Sequence, residues 1–223
     1  MKLKGAIDSL NFSSVNIEDY FKSNEDYIIQ TIKGLGVFEP DVWRETFKRS
    51  LTQSIVEAKI LHSSKGLAVP IKRFNRTPQR ETVEFAGLRG YNERSLLLQE
   101  LLKYLWEYIQ DATITRIDIC IDFDKKIPPR VLKMICRDRT PLKRWNTFYY
   151  KSSSEKKSNN YVNIKSYNKS KTKNDTENIH RLEFSFMSSY IGKLQVKNIE
   201  ALLRKTEKSI KRFSGLNVKT SVL

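Results

Sequence analysis

Histidine is nearly absent from this chain: His62 and His180 are the two in 223 residues, with no HxH or HExxH spacing between them. A histidine-bridged metal centre is not expected, and His180, on the apolar side of its stretch, reads as a core residue. Cysteine is as sparse. Cys120 and Cys136 have neither paired nor zinc-type spacing, which leaves them as free core thiols in a reducing cytoplasm. No apolar run approaches the roughly 18 residues of a membrane span, and the opening MKLKGAIDSLNF has no signal-peptide core, so neither insertion nor export is expected. There is no Walker loop, GxGxxG, Ser/His/Asp constellation or internal repeat. Nor does a Pro/Gly/Ser-rich linker divide the chain. A single domain over residues 1–223 is the expectation, with an N-terminal part to residue 65, a core from 66 to 213 and an extended or frayed tail over 214–223.

Positive charge is what the sequence has in excess. With 41 Lys+Arg against 25 Asp+Glu the formal charge is +16, and nucleic acid is the commonest partner for that imbalance. A merely solubilising lysine-rich surface is the plain alternative.

Hydrophobic periodicity predicts an α+β chain. Lys4–Phe12 reads as a strand, residues 16–21 and 24–33 as helices, 41–50 as a helix and 54–61 as a strand. Leu67–Phe74 and Glu81–Phe85 flank a polar, proline-containing connection and read as a hairpin bearing Lys72, Arg73, Arg76, Arg80 and Arg89. That cluster is either a solvated face or a phosphate-tracking arm. Glu93–Gln110 carries Leu98, Leu101, Leu102, Leu105 and Ile109 at helical spacing and leads into a strand at Thr113. Pro128 and Pro129 open a helix to about Arg137. Trp145–Lys151, Tyr161–Asn168 and Ile179–Met187 read as a strand meander, and Leu194–Phe213 as a basic amphipathic helix.

The stretch Thr113–Asp124, TITRIDICIDFD, organises the rest. A strand's side chains alternate faces, so Ile117, Ile119, Ile121 and Phe123 point one way while Arg116, Asp118, Cys120, Asp122 and Asp124 point the other. The helix before it should cover the apolar face and leave the carboxylate face open for a site. Crowded carboxylates raise one another's pKa unless an arginine, a metal ion or water holds them. The sequence leaves all three open, including a plain solvated face on which Arg116 and Arg181 pair the acids.

TRIDICIDFD after an amphipathic helix, YNK at Tyr167–Lys169, RLEFSF at Arg181–Phe186 and a tyrosine shortly after resemble, in that order, the replication initiation factor family. These are rolling-circle initiators of Gram-positive plasmids and integrative elements, with filamentous-phage initiators as distant relatives. The resemblance implies a central antiparallel sheet flanked by helices, related to the HUH endonucleases with carboxylates in place of the histidine pair. It implies a DNA nickase and strand transferase, with Asp118, Asp122 and Glu183 as ligands of Mg²⁺ or Mn²⁺ and Tyr190 as nucleophile. A tyrosine needs a nearby cation to attack at neutral pH, which the metal, Lys169 or Lys193 could supply; Lys169 and Arg181 are further candidate catalytic residues, and Lys165, Tyr167 and Lys193 candidate DNA contacts beside the arm at 72–89. The implied partner is single-stranded or hairpin origin DNA, with a host helicase as a further candidate. A non-enzymatic DNA-binding regulator and a hydrolytic metal-dependent nuclease are the competing classes.

Overall fold

The computed structural model describes residues 3–14, 43–45, 55–62, 68–74, 81–86, 106–107, 109–152, 162–169 and 178–220. In chain order the strands are β1 (Leu3–Lys4), β2 (Ala6–Ser14), β3 (Trp43–Glu45), β4 (Ile55–His62), β5 (Ala68–Phe74), β6 (Glu81–Ala86), β7 (Thr113–Phe123), β8 (Arg139–Arg144), β9 (Thr147–Ser152), β10 (Val162–Asn168), β11 (His180–Met187) and β12 (Val218–Lys219). The named helices are α1 (Pro129–Ile135), a single turn α2 (Ser188–Ile191) and α3 (Ile199–Ser214). Two compact units share the chain: Met1–Ile7, Arg116–Gly192 and Ile199–Ser221 form one; Asp8–Thr115, Lys193–Asn198 and Val222–Leu223 form the other. The expected division at residue 65 falls outside the described residues.

In the second unit the strand order is β3-β4-β5-β6-β2, antiparallel throughout. The expected hairpin is β5–β6, with Ile71 opposite Val83 and Arg73 opposite Glu81. The helix expected over 41–50 is not what forms at its centre: Trp43–Glu45 is a strand laid along β4, Trp43 opposite Leu61. An aromatic after a β-branched residue suits a pleated edge once a partner strand is available, and pairing then overrides local helical spacing. The helices expected at 16–21 and 24–33, and most of 93–110, lie outside the described residues. Trp106, Glu107 and Ile109 are helical, and Ile109 is buried.

The first unit is built on the antiparallel order β7-β11-β10-β9-β8. Its apolar face stacks in register: Ile119 lies opposite Phe184, which lies opposite Ile164, and Ile117 opposite Phe186, which lies opposite Val162. All six are buried. Helix α3 turns Leu202, Leu203, Thr206, Ile210 and Phe213 inward and leaves Arg204, Lys205, Lys208, Lys211 and Arg212 exposed, the 3.6-residue stripe of an amphipathic helix. Helix α1 starts on Pro129, whose missing N–H costs nothing in a first turn. Cys136, just past its end, is exposed and not the core thiol expected, whereas Cys120 is buried.

Two elements go further than the sequence reading. The strand expected over 145–151 is half of a hairpin, its partner β8 running Arg139–Arg144. Pro141 and four basic or polar neighbours hide β8 in the sequence, yet proline is tolerated on the last strand of a sheet, where one edge needs no donors. Of the tail expected to be extended or frayed, the described part beyond α3 is extended and seated: β12 pairs in parallel with β1, Leu3 opposite Val218, and Leu216, Val218 and Thr220 are buried. A Cβ on Gly5 would lie 2.5 Å from Val218 Cγ1 and 2.8 Å from Thr220 Oγ1. Gly5→Ala is therefore expected to destabilise the protein by about 1–3 kcal/mol, the usual cost of overpacking. An unchanged urea midpoint would show that the tail does not seat there. No helix among the described residues is long and apolar enough to cross a membrane.

Candidate active-site face of the sheet

Strand alternation brings the expected residues of β7, β11 and β10 onto one face. Asp118 lies opposite Ser185, Cys120 opposite Glu183 and Asp122 opposite Arg181; one strand further, Lys165 lies opposite Glu183 and Tyr167 opposite Arg181. Asp118, Asp122, Glu183, Arg181, Lys165 and Tyr167 therefore share a surface, as the spacing implied.

The chemistry on that surface is ion pairing. Arg116 grips Asp118 with both ends of its fork, Nε to Oδ1 at 2.9 Å and Nη2 to Oδ2 at 2.6 Å. Arg181 does the same to Asp122 at 2.8 and 3.0 Å. Glu183 receives Lys165 Nζ on Oε1 at 2.8 Å and the Tyr167 hydroxyl on Oε2 at 3.2 Å. Of the three answers the strand left open, arginine holds two of the acids and lysine the third.

Pairing also explains a departure from the expected open face. Asp118 and Glu183 are each 2% exposed and Arg181 3%, which neutralised, doubly hydrogen-bonded charges tolerate and lone ones do not. Toward β9 and β8 the face is open, and Tyr149 and Leu142 are exposed there. There a cleft of about 590 Å³ is lined by Arg116, Leu142, Arg144, Tyr149, Lys151 and Lys165, among others.

As they stand, the three carboxylates form separate ion pairs. Among the described residues no three acidic, histidine or cysteine side chains gather closely enough to share a metal ion. The donors are the hard oxygens that Mg²⁺ and Mn²⁺ prefer, but the arrangement does not fit such an ion unless Arg116, Arg181 or Lys165 first leaves its carboxylate.

Burial raises the Asp118 pKa, against the opposing pull of Arg116, the Ser185 hydrogen bond and Lys165. The folded protein then holds this proton more tightly than the unfolded chain does. The stability Asp118 contributes is complete below its ordinary value near 3.8 and is lost as pH rises through the raised one. Asp118→Asn should gain on the wild type over that interval and run parallel to it above. A wild type that instead gains on the variant as pH rises would reverse the sign.

Tyr190 does not join the acids. Its ring lies 4.9 Å from that of Phe186, which alternation puts on the apolar face of β11. Its hydroxyl donates to Lys205 O at 3.1 Å and shares a hydrogen bond with Ser209 on α3. Lys205 Nζ sits 4.6 Å from the ring centroid and donates to Tyr190 O. Burial pushes the Tyr190 pKa up, against Ser209 and Arg212, opposite to what a nucleophilic phenol needs at neutral pH. The expectation that its hydroxyl reaches over the sheet is thus corrected. The cause is local: α2 begins immediately after Met187, and its one turn delivers Tyr190 to the side on which Phe186 already lies. Among the described tyrosines, Tyr149 and Tyr167 occupy the acid face, while Tyr150 is turned away from it and hydrogen-bonds Ser166.

Of the other expected residues, Lys169 is buried just beyond β10, its backbone N–H donating to Ile179 O at 2.8 Å. Lys193 is exposed and belongs to the second unit. Lys72 and Arg73 stand on β5 in that unit; Arg76, Arg80 and Arg89 lie outside the described residues. The cleft's Arg144, Tyr149 and Lys151 were not anticipated. Their signal is the density of basic and aromatic residues in LKRWNTFYYK, legible only once β8 is recognised as a strand.

No protein-family model matches the chain, and no curated protein matches it in sequence. Among solved structures, the rolling circle replication initiator protein from Geobacillus stearothermophilus aligns over 95% of this chain and 92% of that one, at 16% identity and a TM-score of 0.47. A likeness of that size carries no activity across.

Proposed function

We propose that the protein is a DNA nickase and strand transferase of the replication-initiator kind, acting on single-stranded or hairpin DNA, with Tyr167 and not Tyr190 as its nucleophile. The observation that carries the reading is the Tyr167–Glu183–Lys165 array: a phenol donating to a carboxylate at 3.2 Å, with an ammonium 2.8 Å from that carboxylate's other oxygen. A nucleophile within reach of a base that a third group holds is the arrangement covalent catalysis requires. Tyr167 Oη forms the bond to phosphorus while the P–O3′ bond breaks. The phenolic proton passes to Glu183 and on to solvent, and the departing 3′-oxygen takes one from water. Lys165 and Arg116, both on the cleft wall, meet the charge that develops on the phosphate. The phosphotyrosyl bond conserves the energy of the broken ester, so religation needs no nucleotide.

The test is whether protein denatured after incubation with single-stranded DNA keeps covalently attached DNA, and on which tyrosine. Nicking without any adduct makes the protein a hydrolytic nuclease; binding without nicking makes it a regulator. Titrating Mg²⁺ or Mn²⁺ against EDTA completes the assay, since a metal requirement would mean that a cation leaves its carboxylate when the ion enters.

A further inference from the structure

We propose that the β8–β9 hairpin is a stacking platform for single-stranded DNA: Trp145 at its tip and Tyr149 on its cleft side hold bases, while Arg144 and Lys151 hold the phosphates between them. The inference rests on the reading of the protein as DNA-acting and adds the element that would grip the strand outside the chemistry.

Trp145 is 94% exposed, and Leu142, Phe148 and Tyr149 on the same hairpin are exposed at 37–42%. Leu142 and Tyr149 lie opposite each other on the cleft face, whereas Phe148 is on the other face; large apolar side chains turned to water on the cleft side of an edge hairpin mark a contact surface. The turn is stranger still. Arg144 pairs with Thr147 across a two-residue loop, and Trp145, its first residue, has φ 56°, alone among the described non-glycine residues in the left-handed region. That position in a hairpin loop is ordinarily glycine, because a Cβ crowds the backbone there. Folding alone gives no reason to place the bulkiest side chain at a strained, solvated tip.

The occupant follows from what surrounds it. Arg144 and Lys151 line the concave cleft on the face that also carries Tyr149. From β8 to β7 this face is four strand spacings wide, roughly 19 Å, enough for a few nucleotides of extended strand. Aromatic planes alternating with cations suit single strands, whose bases offer a π-face and whose backbone tracks positive charge. A duplex hides its bases from such a platform, and a flat layer of lipid headgroups cannot reach cations recessed in a cleft.

The probe is a fluorescein-labelled thymidine oligonucleotide of roughly 15 nucleotides, bound to the full-length protein and followed by anisotropy. Trp145→Gly is expected to weaken binding by roughly tenfold or more, the size of one lost stacked base, and Trp145→Phe to lose far less. The thermal midpoint of Trp145→Gly should not fall, because glycine takes φ 56° without strain. Unlabelled oligonucleotide should quench the tryptophan emission of the wild type, and much of that quench should vanish in Trp145→Phe. Arg144→Ala and Lys151→Ala should each flatten the slope of log affinity against log salt by about 0.7. Wild-type affinity in Trp145→Gly, or equal losses in the glycine and phenylalanine variants, would overturn the platform while leaving nickase activity and adduct intact. Preference for an equal-length duplex, or Trp145-dependent binding to phosphatidylserine vesicles with oligonucleotide binding unchanged, would overturn it as well. A wild type that neither binds the oligonucleotide nor forms an adduct would remove the DNA reading together with the platform.

Discussion

Tyr167→Phe is expected to abolish the covalent DNA adduct and to slow nicking on the order of 10⁴-fold or more, as removal of a nucleophile does, with little change in DNA affinity. The variant deletes one oxygen, 3.2 Å from Glu183 Oε2, on a ring that keeps its position beside Lys165. Glu183→Gln keeps the shape of the carboxylate but cannot take the proton, and should cost about 10²–10⁴-fold, the range of a general base. Tyr190→Phe should leave the adduct in place. Its loss is the hydroxyl's hydrogen bonds to α3, about 1 kcal/mol of stability. Quantitative nicking by Tyr167→Phe, or a trapped phosphonucleotide recovered on the Tyr190 peptide, would sink the assignment. Recovery on Tyr149, which shares the face, would keep the face and change the residue.

Arg181→Ala carries the largest expected loss of stability. The guanidinium is 3% exposed and binds both oxygens of Asp122, itself 14% exposed, across the β7–β11 pair. Removing one partner of a buried pair strands the other charge, at about 3–5 kcal/mol. The partial exposure of Asp122 puts the expectation at the lower end, read from the denaturant midpoint at constant slope. Arg181→Met combined with Asp122→Leu should recover much of the loss, because no charge is then left unpaired. A single variant that loses under about 1 kcal/mol would mean that solvent already reaches the pair. The same outcome would reopen Arg181 as the catalytic residue expected from the sequence, a role that its present engagement with Asp122 does not suggest.

Much of this protein is written in alternation. Ile117, Ile119 and Ile121 against Asp118, Cys120 and Asp122 define the strand and its two faces from a period of two, and Leu182, Phe184 and Phe186 against Arg181, Glu183 and Ser185 do the same for its neighbour. The basic stripe of α3 follows equally from its period, and the charge of +16 needs no fold at all. The register and the cations on the acids are another matter. Which of arginine, metal or water meets a carboxylate depends on what lies across the sheet, and the pairs Asp122 with Arg181 and Glu183 with Lys165 join residues 59 and 18 positions apart. The destination of Tyr190 depends on a single helical turn docking on α3, an event 15–19 residues downstream. Strand β8 exists because β9 offers it an edge, and the tail is a strand because β1, at the other end of the chain, is there to pair with it. Local periodicity determines which side chains share a face, since that is geometry along one strand. What each face then meets is decided by long-range pairing, whose energy lies in contacts that no stretch of the sequence contains.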